Sequence, residues 1–219
     1  MSQKNAVVSC LLLALNCGYM NGVCIGGLLN GAVQPSTAVT GAWTISAVNA
    51  AKGNTAVFAK NAKMILSYFG GSLLASLINP YPSSNTVNAK TGQSLIAGGA
   101  LLALATKFAK EGKALAPFML VAVVAGLQNS LTSVATGNLC RTAHFSGITS
   151  DLGTFAGQVL RGNKTNLYKL KVFAALGACF WMGGYLSVGV VGSMMDKNTN
   201  LMVSSVLMLL LGAGILVKG

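Results

Sequence analysis

His144, Gly147, Asp151, Thr154 and Gln158 recur at three- and four-residue steps, the spacing that lines one face of a helix. Asp151 falls nine residues into an apolar run that begins at Thr142. Near mid-membrane an ionisable side chain costs at least about 2.5 kcal/mol, so an acid kept there serves a pathway or a buried hydrogen bond. The chemistry this stripe suggests is binding and release of a proton or a small solute, with Asp151 and His144 as the coupling groups. The competing reading is a protonated Asp151 that glues two helices together.

Other polar residues join the candidate set. Asn21, Gln128 and Asn129 occupy related positions in two similar segments, and Thr40 and Thr44 share a hydroxyl stripe with Thr37. Amides inside a bundle also serve packing, and a helical threonine can bond its own backbone. Enzyme chemistry is not expected. His144 is the one histidine, Glu111, Asp151 and Asp196 are the three acids, and no paired-carboxylate site, HExxH, P-loop or GxSxG is present. Five cysteines form neither CxxC nor a Cys/His spacing, so no metal site is expected, and no particular cofactor is indicated. Cys10, Cys17 and Cys24 recur every seven residues as small packing groups.

The elements that position these residues are apolar. The chain is 53% hydrophobic and 8% charged, against about 25% charged in a soluble domain. That excludes a soluble enzyme, a disordered tail and a disulfide-stapled module. The fifteen Lys and Arg give a net charge of +12, but they stand singly or in small groups at the ends of apolar runs. They form no aromatic-interleaved patch, so nucleic acid is not an expected partner. Eight segments are expected to be helical: Ala6 to Leu29, Thr37 to Ala51, Ala56 to Ile78, Thr91 to Phe108, Leu115 to Thr136, Thr142 to Leu160, Leu167 to Met194 and Asn200 to Val217. Glycine, asparagine and proline separate them, beginning with Asn30 and Gly31.

If all eight cross the bilayer, twelve Lys and Arg fall on the side of the N-terminus and three on the other. Both ends of the chain then share that side, with Gly112 and Asn163 there and Ser84 and Thr199 opposite. The expected fold is therefore an all-α polytopic membrane helical bundle of about eight spans.

The two halves echo each other. Leu12 to Asn21 resembles Leu120 to Asn129, Ser36 to Gly41 resembles Thr142 to Gly147, Lys52 to Asn54 resembles Arg161 to Asn163, and Tyr68 to Ser72 is echoed near Ala175. The offsets run from 106 to 109. Within a single membrane domain, 1–219, residues 6–109 and 115–217 are read as two four-helix repeats. An even span count would place them in parallel orientation, about an axis along the membrane normal.

The block Gly126, Leu127, Gln128, Asn129, followed by Thr142 to Gly147 and by Asp151, Leu152, Gly153, resembles the YoaK-like family of multi-pass membrane proteins, a domain of unknown function. The family's early Gly-Tyr-x-Asp and Thr-Gly-Asn look like Gly18 to Asn21 and Thr40 to Ala42, with Asn21 for the usual Asp and Ala42 for the usual Asn. The resemblance spans nearly the whole chain. It implies a polytopic α-helical protein and carries no settled activity.

Two functions fit. One is a small transporter or permease with a polar midplane site. The other is a structural or interaction subunit embedded in a larger membrane protein complex. Expected partners are the lipid bilayer, a small-molecule or proton substrate, and other membrane subunits or further copies of the chain. A bacterial inner membrane and an organellar, thylakoid-type membrane suit the charge pattern equally.

Overall fold

The computed structural model describes residues 3–27, 29, 34–83 and 86–218. Asn30, Gly31 and Ser84 lie outside the described residues. The described chain is all-α. Its helices are α1 (Gln3–Ile25), α2 (Val39–Ala51), α3 (Thr55–Ile78), α4 (Ala89–Lys110), α5 (Leu115–Ala135), α6 (Phe145–Leu160), α7 (Leu167–Leu186) and α8 (Leu201–Lys218). A π-helical turn, Ser187–Val191, and a last turn, Gly192–Met194, continue α7. The eight apolar segments are thus the eight helices, each within a few residues of the expected limits.

Four stretches are long and apolar enough to cross a membrane: Asn5–Ile25, Leu115–Ala135, Leu167–Met194 and Lys197–Val217. They make the chain an integral membrane protein. Between apolar helices in lipid, packing replaces the hydrophobic drive, and small residues let backbones approach. The glycines here do that in matched pairs. Gly18 lies against the Phe180 carbonyl, and Gly126 against that of Tyr68. Gly183 abuts the backbone of Leu15 and Tyr19, while Gly71 abuts that of Val123 and Leu127. The tight pairs α1–α7 and α3–α5 therefore each join one half of the chain to the other. They also correct an alignment. The counterpart of Tyr68 to Ser72 is Phe180 to Gly184, not the stretch near Ala175.

The same contacts give the helix directions. Gly18, Gly22 and Gly26 meet Phe180, Gly184 and Val188 in order, so α1 and α7 are parallel. Lys60 over the Phe118 ring, and Ser72 donating to the Gly126 carbonyl at 3.2 Å, make α3 and α5 parallel. Gly92 opposite Gly212, with Ser205 donating to the Gly99 carbonyl at 2.8 Å, makes α4 and α8 antiparallel. Gln128 reaches the Leu13 carbonyl while Cys10 clusters with Cys140, so α1 and α5 are antiparallel as well.

Equivalent helices of the two halves therefore point in opposite directions, which corrects the expected parallel orientation. The reason is the length of α2 and α6. At 13 and 16 residues they are about 20 and 24 Å long, against about 30 Å of hydrocarbon. Each starts beside the long helix that precedes it, at Asn21 or Asn129, and is too short to cross by itself. The cation split changes with it. Lys4, Lys90, Arg141, Arg161, Lys164, Lys169, Lys171 and Lys218 fall toward one end, and Lys52, Lys60, Lys63, Lys107, Lys110, Lys113 and Lys197 toward the other. That near-even division replaces the twelve-to-three bias.

Two measurements check this arrangement. Cysteines at the exposed positions Lys110 and Lys164 should be labelled by an impermeant reagent from opposite faces of the membrane; eight parallel-repeat spans would put both on one face. Gly126→Ala should abolish a monodisperse, folded species in detergent, because its new methyl meets backbone. Gly153→Ala, with open space around it, should fold normally and gain up to about 1 kcal/mol of helix propensity.

Candidate functional site

The starts of α2 and α6 are the local feature from which the site is built. A chain that reverses inside an apolar bundle leaves backbone N–H groups that must find acceptors. The Asn21 amide oxygen takes the Thr37 N–H at 3.2 Å and the Ser36 hydroxyl at 3.0 Å, and its nitrogen donates to the Thr37 hydroxyl at 2.6 Å. In the other half, the Asn129 amide oxygen takes the Ala143 N–H at 3.0 Å. One asparagine on each long helix, α1 and α5, thus anchors the chain just ahead of α2 or α6.

Between these two anchors lies a cavity of about 460 Å³. Val39, Thr40 and Gly41 line it from the first turn of α2, and Phe145 and Ser146 from the first turn of α6. Tyr68, near the middle of α3, and Phe180, midway along α7 and its continuation, close the sides. The Phe145 and Phe180 rings stand 3.9 Å apart between centroids. Neither helix start carries a side-chain cap. Two helix N-termini, each equivalent to about half a positive charge, therefore open onto one space, and no acidic residue lines it.

Of the residues selected from the sequence, Asn21, Asn129, Thr40 and His144 meet around this cavity. Thr44 does not reach it; it is exposed, and its hydroxyl donates to the Thr40 carbonyl one turn back. Gln128 is fully buried beside it and ties three segments together. Its amide donates to the Leu13 carbonyl at 2.7 Å and the Thr142 hydroxyl at 3.1 Å, and accepts from Asn16 at 3.1 Å. Asp151 is exposed on α6, a helix that buries only Ile148. It lines a separate cavity of about 300 Å³ with Arg141, and His144 borders both cavities. Asp151 therefore does not share a site with Thr40 and Asn129, the other members of the candidate set.

Tyr68, Phe180, Ser146 and Arg141 escaped the sequence reading. For the two aromatics a signal exists: each precedes a glycine pair, Gly70–Gly71 and Gly183–Gly184, that sits in the interface between halves. The backbone donors of α2 and α6 have no side-chain signature at all.

Residues 9–214 match the model of the family described as Protein of unknown function (DUF1275), and the chain belongs to that family. The match agrees with the resemblance carried by Gly126 to Asn129 and Thr142 to Gly147. No curated protein and no solved structure matches the chain.

Replacing Gln128 by leucine strands the Asn16 amide and the Leu13 carbonyl in a site with no access to water. An unpaired buried polar group costs about 1–3 kcal/mol. Gln128→Leu should lower unfolding stability in detergent by about that much, whereas Thr44→Val should be close to neutral.

Proposed function

We propose that this family member is a small transporter that moves an anionic solute through the cavity between α2 and α6. The proposal takes residues 6–109 and 115–217 as inverted repeats, each of three membrane spans and one half-crossing helix. In such folds the substrate lies near the midplane, and broken-helix N-termini face its anionic groups. One observation carries the reading: two uncapped helix starts, one from each half, converge on a single cavity that no carboxylate lines. The cavity borders offer a histidine, a tyrosine, hydroxyls and amides, groups suited to holding a solute by hydrogen bonds.

The alternative, a structural subunit of a larger membrane assembly, draws on the exposed apolar side chains of α2, Trp43, Ile45 and Val48. Lipid covers such side chains as well as a partner does, and a filled interior would suit that role better than an open midplane cavity.

Proteoliposomes decide between them. Purified protein should carry at least one of chloride, nitrate, sulfate and succinate faster than protein-free vesicles, and should exclude sodium and potassium. A carboxylate placed at the cavity wall repels an anion through a low dielectric, so Thr40→Asp should cut that flux at least about tenfold while Thr40→Asn retains it. Flux of cations, or of none of the panel, would overturn the anion reading.

A further inference from the structure

His144 is the one ionisable side chain that borders both the central cavity and the one holding Arg141 and Asp151. Its imidazole stands over Gly147, on the wall the two spaces share. The second cavity opens toward the end of the bundle where α5 finishes and α7 begins. The other half has no such feature. At the offset of 106 that aligns the starts of α2 and α6, the counterparts of Arg141, His144 and Asp151 are Pro35, Ala38 and Ile45.

Resting on the transport reading above, we infer that the Arg141–Asp151 cavity is the aqueous mouth of the central site on that side, and that His144 is its gate. Arg141 gives the mouth a fixed positive charge to draw an anion inward. Asp151, the one acid lining that mouth, balances the charge without lining the central cavity. The groups facing His144 are Arg141 from the loop ahead of α6, Asp151 from α6 and Tyr68 from α3. From α1 and α5 the neighbours are the neutral amides Asn21 and Asn129, and from α7 the rings of Phe173 and Phe180. Among the described residues His144, itself exposed, is the one that lines both spaces, and its ring is the side chain placed to obstruct passage between them. On the opposite side Ala38 is too small to obstruct, and the residues available there carry no charge. Access from the two faces is therefore built differently.

Thiol labelling tests this without requiring transport. The native cysteines are buried except Cys179, which is partly so, and a Cys179→Ala background removes it. Ser150→Cys reports the mouth, Thr40→Cys the central cavity and Lys164→Cys the adjoining membrane face. The probe is 2-sulfonatoethyl methanethiosulfonate, an impermeant anion, applied separately to each face of oriented vesicles. Ser150→Cys and Lys164→Cys should react from the same face. Thr40→Cys should react slowly from that face with His144 present, and at least about fivefold faster with His144→Ser. Serine is a favoured N-cap at the start of α6, so this variant protects the fold. His144→Gln, close in size to histidine, should keep the slow rate. Reaction of Thr40→Cys from the opposite face alone, or a rate indifferent to His144→Ser, would overturn the inference. Correct labelling in a protein that carries no anion would sink the transport reading and leave the path standing; anion flux with the wrong labelling does the reverse.

Discussion

Starting a helix in the middle of an apolar bundle is the constraint on which this structure depends. Backbone donors and acceptors at a chain reversal have no water to turn to, and each one left bare costs several kcal/mol. The solution is the same in both halves: an asparagine on the first long helix offers its carbonyl oxygen to a backbone N–H just ahead of the short helix. Remove that acceptor and the short helix must begin elsewhere. Everything else follows. Because α2 and α6 are too short to cross by themselves, α1 and α5 run in opposite directions, and so do α3 and α7. This opposed arrangement brings Gly18 onto α7 and Gly126 onto α3, and sets the uncapped starts of α2 and α6 against one cavity.

How much of this was legible in the sequence depends on what each signal measures. Apolar runs and their breakers report where helices lie, and Leu115 to Thr136 or Ala56 to Ile78 came within a residue of the observed limits. They do not report depth. Thr37 to Ala51 is a hydrophobic stretch whether it crosses the bilayer or half of it, and the distinction rests on a backbone hydrogen bond from Thr37 to Asn21. The cation bias was computed from an assumed span count and could not test it. Asn21, Asn129, Thr40 and His144 were found because polar groups in apolar runs are conspicuous. Asp151 was conspicuous for the same reason, yet it sits on the exposed side of a helix that buries a single residue. Thr44 bonds its own helix. What periodicity cannot show is which of two polar faces meets the other half.

The cavity and the glycine contacts are two consequences of one symmetry, and they divide the labour. Gly18, Gly71, Gly126 and Gly183 fasten α1 to α7 and α3 to α5 by backbone contact. Gly92 and Gly212 fasten α4 to α8. Each pairing crosses between halves, so sliding one half past the other would open all three seams together. Dispersion and close approach hold these seams, and a gap of even half an ångström forfeits a large part of the attraction. The six long helices are accordingly a frame.

The short helices are not part of that frame. Within α2 only Ala42 and Ser46 are buried, and within α6 only Ile148, whereas α5 buries twelve of its residues. The low-stability end of a structure is where rearrangement is least costly. On the proposed transport reading, a solute held between the starts of α2 and α6 would leave by displacing one of these two helices rather than the six fastened ones. α2 packs along α3 and α6 along α7, and each is also held near its start by an asparagine acceptor. On that reading, the attraction for an anion and the movement that releases it would reside in the same two helices. His144 stands immediately ahead of the first residue of α6, where a shift of that helix would move its side chain directly. Its counterpart Ala38 has no side chain long enough to use such a shift, so on the proposed reading a gate would be confined to the α6 side of the cavity.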